Sequence, residues 1–207
     1  MIMAPLTWGD PDPAYAYGVD RGVIHSHATD EILPWNGLIE VTRDEDAPDT
    51  SYSVFEGVTY LNTKLGGLYS ASVKSFGFPQ NMIEGLGYAA VFPGFFLTGQ
   101  TRTRFDFAYR IMTGESNYKL HFVWNALFST SGKKHNTLTD DVDLVEHTWK
   151  VTATPPRVFF WAPTAFLVVD ALTAGPAAME TIEDLLYGTD STDPEFPTQV
   201  QVLLSVL

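Results

Sequence analysis

The stretch from residue 101 to 111 constrains this chain most. Phe105, Phe107, Tyr109 and Ile111 alternate with Arg104, Asp106, Ala108 and Arg110. Successive side chains of a β-strand point to opposite faces, so a period of two predicts a strand. The aromatic row predicts a buried face and the charged row a solvated one. Gly114 and Asn117 then mark a turn. Beyond it Tyr118, Leu120, Phe122 and Trp124 share a face opposite Lys119, His121 and Val123. Two such runs joined by a turn make a hairpin, and a chain built around it is expected to be sheet-based.

The flanking sequence extends the sheet. Strands are predicted at residues 19–27, 38–42, 68–76 and 145–151, at 158–161 and at 164–169. A hairpin is predicted from 51–55 and 58–63 across Glu56-Gly57, and Pro34-Trp35-Asn36-Gly37 forms a turn. One helix stands out: Pro176 suits a first helical position, Gly188 suits the residue past the end, and Met179, Ile182, Leu185 and Leu186 share a face. Residues 79–100, rich in glycine with Pro79 and Pro93, read as a long loop, and loops of that length usually have a task. The expectation is eight or nine strands and one helix in a single domain, 1–207, of a mainly β or α+β class.

Both ends are unusual. Residues 1–18 carry Pro5, Pro11 and Pro13 and read as an irregular arm whose Trp8, Tyr15 and Tyr17 anchor it to another surface. The tail, 189–207, ends in the apolar run Val200, Val202, Leu203, Leu204, Val206 and Leu207. Chain ends ordinarily sit in water, so this run is either a core strand or a segment docked on a neighbour.

Charge is segregated along the chain. The net charge of −13 divides into −8 over residues 1–50, +4 over 51–138 and −9 over 139–207. That excludes an overall basic nucleic-acid binder and suits a subunit whose ends meet the middle of a neighbour. Charged residues make up only 18% and aromatics 14%, which suits extensive buried surface, within the chain or between chains. With no cysteine, disulfides and thiolate chemistry are excluded. No apolar run reaches the roughly 18 residues of a membrane span, and no secretory signal is visible at the start.

Catalytic patterns are sparse. His25-Ser26-His27 places two imidazoles on one side of a strand, half of a metal site, but no third ligand is signalled by spacing. His121 and His147 fall within strand patterns and read as hydrogen-bonded strand histidines. No nucleophile elbow, phosphate loop or zinc-protease helix is present. The acids cluster in runs such as Asp44–Asp46 and Asp140–Asp143, which read as solvated turns. Arg102, Arg104 and Arg110 fall on the polar face of the central strand. Like charges at that spacing require a partner: acids of the same chain, acids of another subunit, or DNA phosphate.

The patterned segments together resemble the major tail (tail tube) proteins of long-tailed phages, especially those of actinobacteria. In order they are Gly18-Val19-Asp20-Arg21-Gly22-Val23, Pro34-Trp35-Asn36-Gly37-Leu38 and Tyr60-Leu61-Asn62. Phe107-Ala108-Tyr109-Arg110, Tyr118-Lys119-Leu120-His121-Phe122-Val123 and Trp149-Lys150-Val151-Thr152 follow. Leu185-Leu186-Tyr187-Gly188-Thr189 and the stretch from Asp193-Pro194 to Pro197 close the series. The resemblance spans residues 15–200; the segment after Phe78-Pro79 and the tail after Pro197 depart from it. It implies a β-sandwich or barrel with a flanking helix, no cofactor or metal, and no catalysis. It further implies hexameric rings that join their sheets and stack head to tail into a tube conducting DNA. The tape-measure protein would occupy the lumen, and terminator and distal tail proteins the tube's ends. Such a protein belongs to the virion tail and assembles in the host bacterial cytoplasm, with no membrane partner. The alternatives are a terminator or distal ring component and, outside this class, a β-sandwich glycan-binding module using exposed Trp and Tyr.

Overall fold

The computed structural model describes residues 16–44, 50–55, 58–64, 69–114, 117–130, 145–157 and 163–205, with backbone alone at 50–55, 58–64 and 84. Trp8, Tyr15, most of the acidic loop 44–49 and the strand expected at 158–161 lie outside these residues.

The strands are β1 (Ala16–Ser26), β2 (Ile32–Trp35), β3 (Leu38–Asp44), β4 (Thr50–Phe55), β5 (Val58–Lys64) and β6 (Tyr69–Ser75). After the one-turn helix α1 (Met82–Gly85) come β7 (Ala89–Phe92), β8 (Phe95–Leu97), β9 (Phe105–Thr113), β10 (Asn117–Thr130), β11 (His147–Ala153) and β12 (Phe166–Asp170). Three helices close the described chain: α2 (Ala171–Ala174), α3 (Pro176–Tyr187) and α4 (Gln199–Leu204). The fold is mainly β, as the alternation predicts. It has more elements than expected: twelve strands and four helices among the described residues.

An antiparallel sheet runs β2-β1-β9-β10-β11-β6-β3, and β12 pairs with β10. Its two outer strands, β2 and β3, are joined by the two-residue turn Asn36-Gly37, with Gly37 at φ 85°. A turn that short holds the ends of the sheet together, so the sheet curls back on itself. Gly22 of β1 lies where a Cβ would run into Leu38 of β3 and within 2.9 Å of the Trp35 carbonyl oxygen. A side chain there would push the curled edges apart.

The curl encloses an aromatic core. Trp35, Phe105, Phe107, Phe128 and Trp149 are fully buried, with Trp35 set edge-on or tilted to Phe107, Phe128 and Trp149 at 5.3–6.1 Å. The indole N–H groups find acceptors: Trp35 Nε1 donates to the Gly77 carbonyl at 2.8 Å and Trp149 Nε1 to Ser75 Oγ at 3.1 Å. A buried indole without an acceptor would lose much of what its ring burial contributes.

The expectation of a solvated second face on β9 is corrected. Ala108 is fully buried and Asp106 nearly so, because α3 and the chain after it cover that side. Val23, Ala108, Leu120, Phe122 and Trp124 meet Met179, Ile182 and Leu186 of α3, Phe196, and Val202 of α4. The helix bounds match expectation, with Pro176 at the first turn and Gly188 at φ 74° past the end.

Two other expectations fail. Residues 79–100 are not a plain loop: they hold α1 and the β7–β8 hairpin around Pro93-Gly94. The described part of the terminal apolar run, Val200–Leu204, is helical and not the core strand that was one of the two expectations. Thr198 and Gln201 form a reciprocal capping box; in α4 Val202 is buried, while Val200, Leu203 and Leu204 are exposed. Residues 16–18 of the supposed arm belong to β1, where Tyr17 is 46% exposed.

Candidate functional site

Three cross-strand rungs on the outer face of β1 and β9 gather the charged chemistry. Asp20 stands opposite Arg110, Val23 opposite Ala108, and His25 opposite Asp106. A polar rung therefore lies at each end of an apolar one. In an unbroken strand Asp20 and His25, five apart, would face opposite sides. A one-residue register shift between Asp20 and Val23, with Arg21 at φ 45°, turns both outward.

At one end, Asp106 Oδ2 accepts from two imidazoles, His25 Nδ1 at 3.1 Å and His27 Nε2 at 2.8 Å. Its other oxygen accepts from the Asn125 backbone N–H at 2.8 Å, which is aimed there by the β10 bulge that holds Asn125 at φ 60°. His25 Nε2 in turn meets Asp30 Oδ1 at 2.9 Å. The His25 ring stacks on Phe196 at 6.0 Å, so the chain after α3 forms part of its wall. His25 has a carboxylate at each nitrogen, and its pKa is raised, chiefly by the Asp106 hydrogen bond, against desolvation. Burial penalises a charged Asp106, yet the hydrogen bonds from His25, the Asn125 N–H and His27 outweigh it and hold the carboxyl below its ordinary value.

At the other end, Arg110 grips Asp20 with two parallel hydrogen bonds, Nε to Oδ1 at 2.7 Å and Nη2 to Oδ2 at 2.6 Å. Its guanidinium also lies 5.1 Å from the centre of the Tyr118 ring. This hydrogen bond to Arg110 is the main reason the Asp20 carboxyl sits below its usual range.

The three arginines do not form one face. Only Arg110 lies in β9; Arg102 and Arg104 precede it. Arg104 Nη1 caps the β10 bulge, donating to the Asn125 carbonyl at 3.1 Å and Thr154 Oγ1 at 3.2 Å, while Arg102 is exposed. For Arg110, the partner is an acid of the same chain. The His25/His27 pair was visible in sequence; Asp106 and Asp30 were not singled out. The signal for Asp106 was its place in the outward row of β9, but the register that brings it to His25 depends on the β1 bulges.

A separate feature stands away from these rungs. In the β7–β8 hairpin Val91, Phe92, Phe95, Phe96 and Leu97 are all exposed, Phe92 and Phe95 to about two-thirds (67% and 68%). Isolated exposed apolar side chains are ordinary, but five on one short hairpin form a patch.

The fold thus defines a mainly β protein with one curled antiparallel sheet, an aromatic interior and a helix-covered outer face. No family model matches the chain, and no curated protein matches it. Among solved structures, the sheath/tube terminator of an extracellular contractile injection system, PVC, in its extended state is similar at 11% identity, covering 79% of this chain and 99% of that one, with a TM-score of 0.39. The sheath–tube complex of an extracellular contractile injection system, PVC, also extended, is similar at 11% identity over 78% of this chain and 93% of that one, with a TM-score of 0.40. Scores this low at this identity establish neither family nor function.

Proposed function

We propose that this chain is a self-assembling structural subunit of a phage-type tail, specifically the major tail tube protein. Copies close into rings, hexameric in the family that the sequence resembles, and the rings stack head to tail into a DNA-conducting tube of the virion. The tape-measure protein and then DNA occupy the lumen, and terminator and distal tail proteins cap the ends. The observation that carries the reading is the β7–β8 hairpin. A short hairpin presenting Phe92, Phe95 and their neighbours to water belongs to neither buried cluster of the described residues. A patch of that kind marks a contact with another molecule. Repeated on every copy and seated in a different surface of the next, it generates a ring or filament. The order of sequence segments shared with tail tube proteins supports the same reading, as does the mainly β fold with its flanking helix.

The test is negative-stain imaging of purified protein beside a Phe92→Ser/Phe95→Ser variant. Uniform tubes from the parent and folded monomers from the variant are expected. Rings that never stack would favour a terminator or distal ring, and a parent protein that stays monomeric at all concentrations would overturn the reading.

A further inference from the structure

We propose that His25, His27 and Asp106 form a binding site for a divalent transition-metal ion, zinc being the reference case. The inference is independent of the assembly reading.

Three observations carry it. First, the donor set is right. Two imidazoles and one carboxylate make up a common protein ligand triad for this class of ion, and one ligand atom from each lies within 4.8 Å of the others. Metal–ligand bonds of about 2.0–2.2 Å in a tetrahedral arrangement hold donor atoms roughly 3.3 Å apart. The two nitrogen–oxygen separations here, 3.1 and 2.8 Å, are close to that spacing, and the two nitrogens, within 4.8 Å of each other, would settle to it around an ion.

Second, the surrounding shell is built. A metal-bound histidine ordinarily donates its remaining N–H to a carboxylate or carbonyl, which fixes the ring and raises its basicity. His25 already has that arrangement, with Nε2 2.9 Å from Asp30 Oδ1. Asp106 is likewise oriented by the Asn125 N–H on Oδ1, leaving Oδ2 for the ion. On binding, the ion takes the place of the Nδ1 proton of His25 and the Nε2 proton of His27, and the displaced protons pass to solvent. The Nε2–H of His25 continues to donate to Asp30.

Third, access is graded. The Asp106 and His25 side chains are mostly buried, at 12% and 17% exposure, while His27 is 38% exposed and opens the site to solvent. Three protein ligands with an open side leave a coordination position for water. The ion would join the end of β1 and the turn after it to β9, at the point where the tail wall at Phe196 begins.

The experiment uses the full chain, stripped with chelator and then titrated with Zn2+ by calorimetry and with Co2+ by visible absorption. One ion per chain is expected, with tetrahedral or five-coordinate Co2+ bands and a thermal unfolding midpoint several degrees higher with Zn2+ present. Mg2+ and Ca2+ should give no signal, because they prefer all-oxygen sites. His27→Gln removes a partly exposed ligand and is expected to fold, as circular dichroism would check; it should abolish binding. Asp30→Asn keeps every ligand and should weaken Zn2+ affinity about tenfold. Absence of Zn2+ heat with the parent chain, or binding unchanged in His27→Gln, overturns the proposal.

Discussion

At the residue scale, partner and burial decide which charges matter. Arg102 and Arg110 share no role: Arg110 is locked to Asp20, and Arg102 is exposed. Arg110→Met is expected to destabilise the subunit by about 1–2 kcal/mol, since it deletes a bidentate charge-assisted pair that is only partly exposed. Arg102→Ser should change stability by less than about 0.5 kcal/mol. Urea unfolding of both variants measures the contrast, and equal losses would refute it. His121 gives a pH prediction. It packs inside the curl against Tyr109 at 4.9 Å and Phe166 at 5.4 Å, and its Nδ1 is buried without a hydrogen-bond partner. Desolvation, then the charges of Arg43 and Lys119, depress its pKa from 6.5 to about 4. The folded state therefore favours neutral imidazole. Its contribution is complete above pH 6.5, falls as the pH drops through the window from 6.5 to about 4, and is gone below it. On the order of 3 kcal/mol should be lost across that window, and His121→Phe should lose less. Stability curves of the two proteins at pH 7, 5.5 and 4 provide the comparison.

At the element scale, the outer layer is held by α3 and the segment after it. Trp124 Nε1 donates to the Pro197 carbonyl at 3.0 Å, Gln199 Nε2 to the Thr164 carbonyl at 2.6 Å, and Phe196 stands edge-on to Phe122 and Trp124. Ile182 is fully buried at the centre of this layer, so Ile182→Ala should cost about 2–4 kcal/mol, read as a lower denaturation midpoint at unchanged slope. What was legible in sequence follows from local rules. β6, β9 and β11 show unbroken alternation, and α3 carries its own start and stop signals, so β6, β11 and α3 fall within two residues of expectation, while β9 begins four residues later than expected, at Phe105. The β10 bulge was not legible. It moves the inward set from Val123 to Ala126 and Phe128, a shift that alternation alone cannot show. The β7–β8 hairpin was missed because its side chains lack a buried face, which is the signal that pattern reading uses. The terminal run reads as a core strand or a docked segment because closely spaced apolar residues such as Val200, Val202, Leu203 and Leu204 fit either period, and the helix α4 is set by its capping box instead. At the candidate site, His25 and His27 were visible as neighbours. Asp106, 81 residues from His25, required a register set by bulges at Arg21 and Gly18.

At the scale of the whole molecule, net charge and apolar surface oppose each other. Each copy carries −13, so bringing copies together costs electrostatic work that grows with every added neighbour. The exposed apolar hairpin acts the other way, and its contribution does not depend on screening. Ion pairs of Arg110 with Asp20, Lys74 with Glu40 and Lys119 with Asp170 are already satisfied within one chain. These three cations are thereby engaged and do not serve the acids of a neighbour. Self-assembly should therefore strengthen with salt. Between about 0.01 M and 1 M the screening length falls from roughly 30 Å to 3 Å, which removes most of the repulsion between copies. Sulfate should act more strongly than chloride at equal ionic strength, because it also favours apolar burial. Sedimentation velocity at fixed protein concentration across a salt series measures the outcome, with the Phe92→Ser/Phe95→Ser variant run beside it. The parent should shift from small to large species as salt rises, and the variant should remain small throughout. If salt instead dissolves the parent's assemblies, ion pairs between the acidic ends and the basic middle hold the copies together, and the hairpin is not the dominant contact.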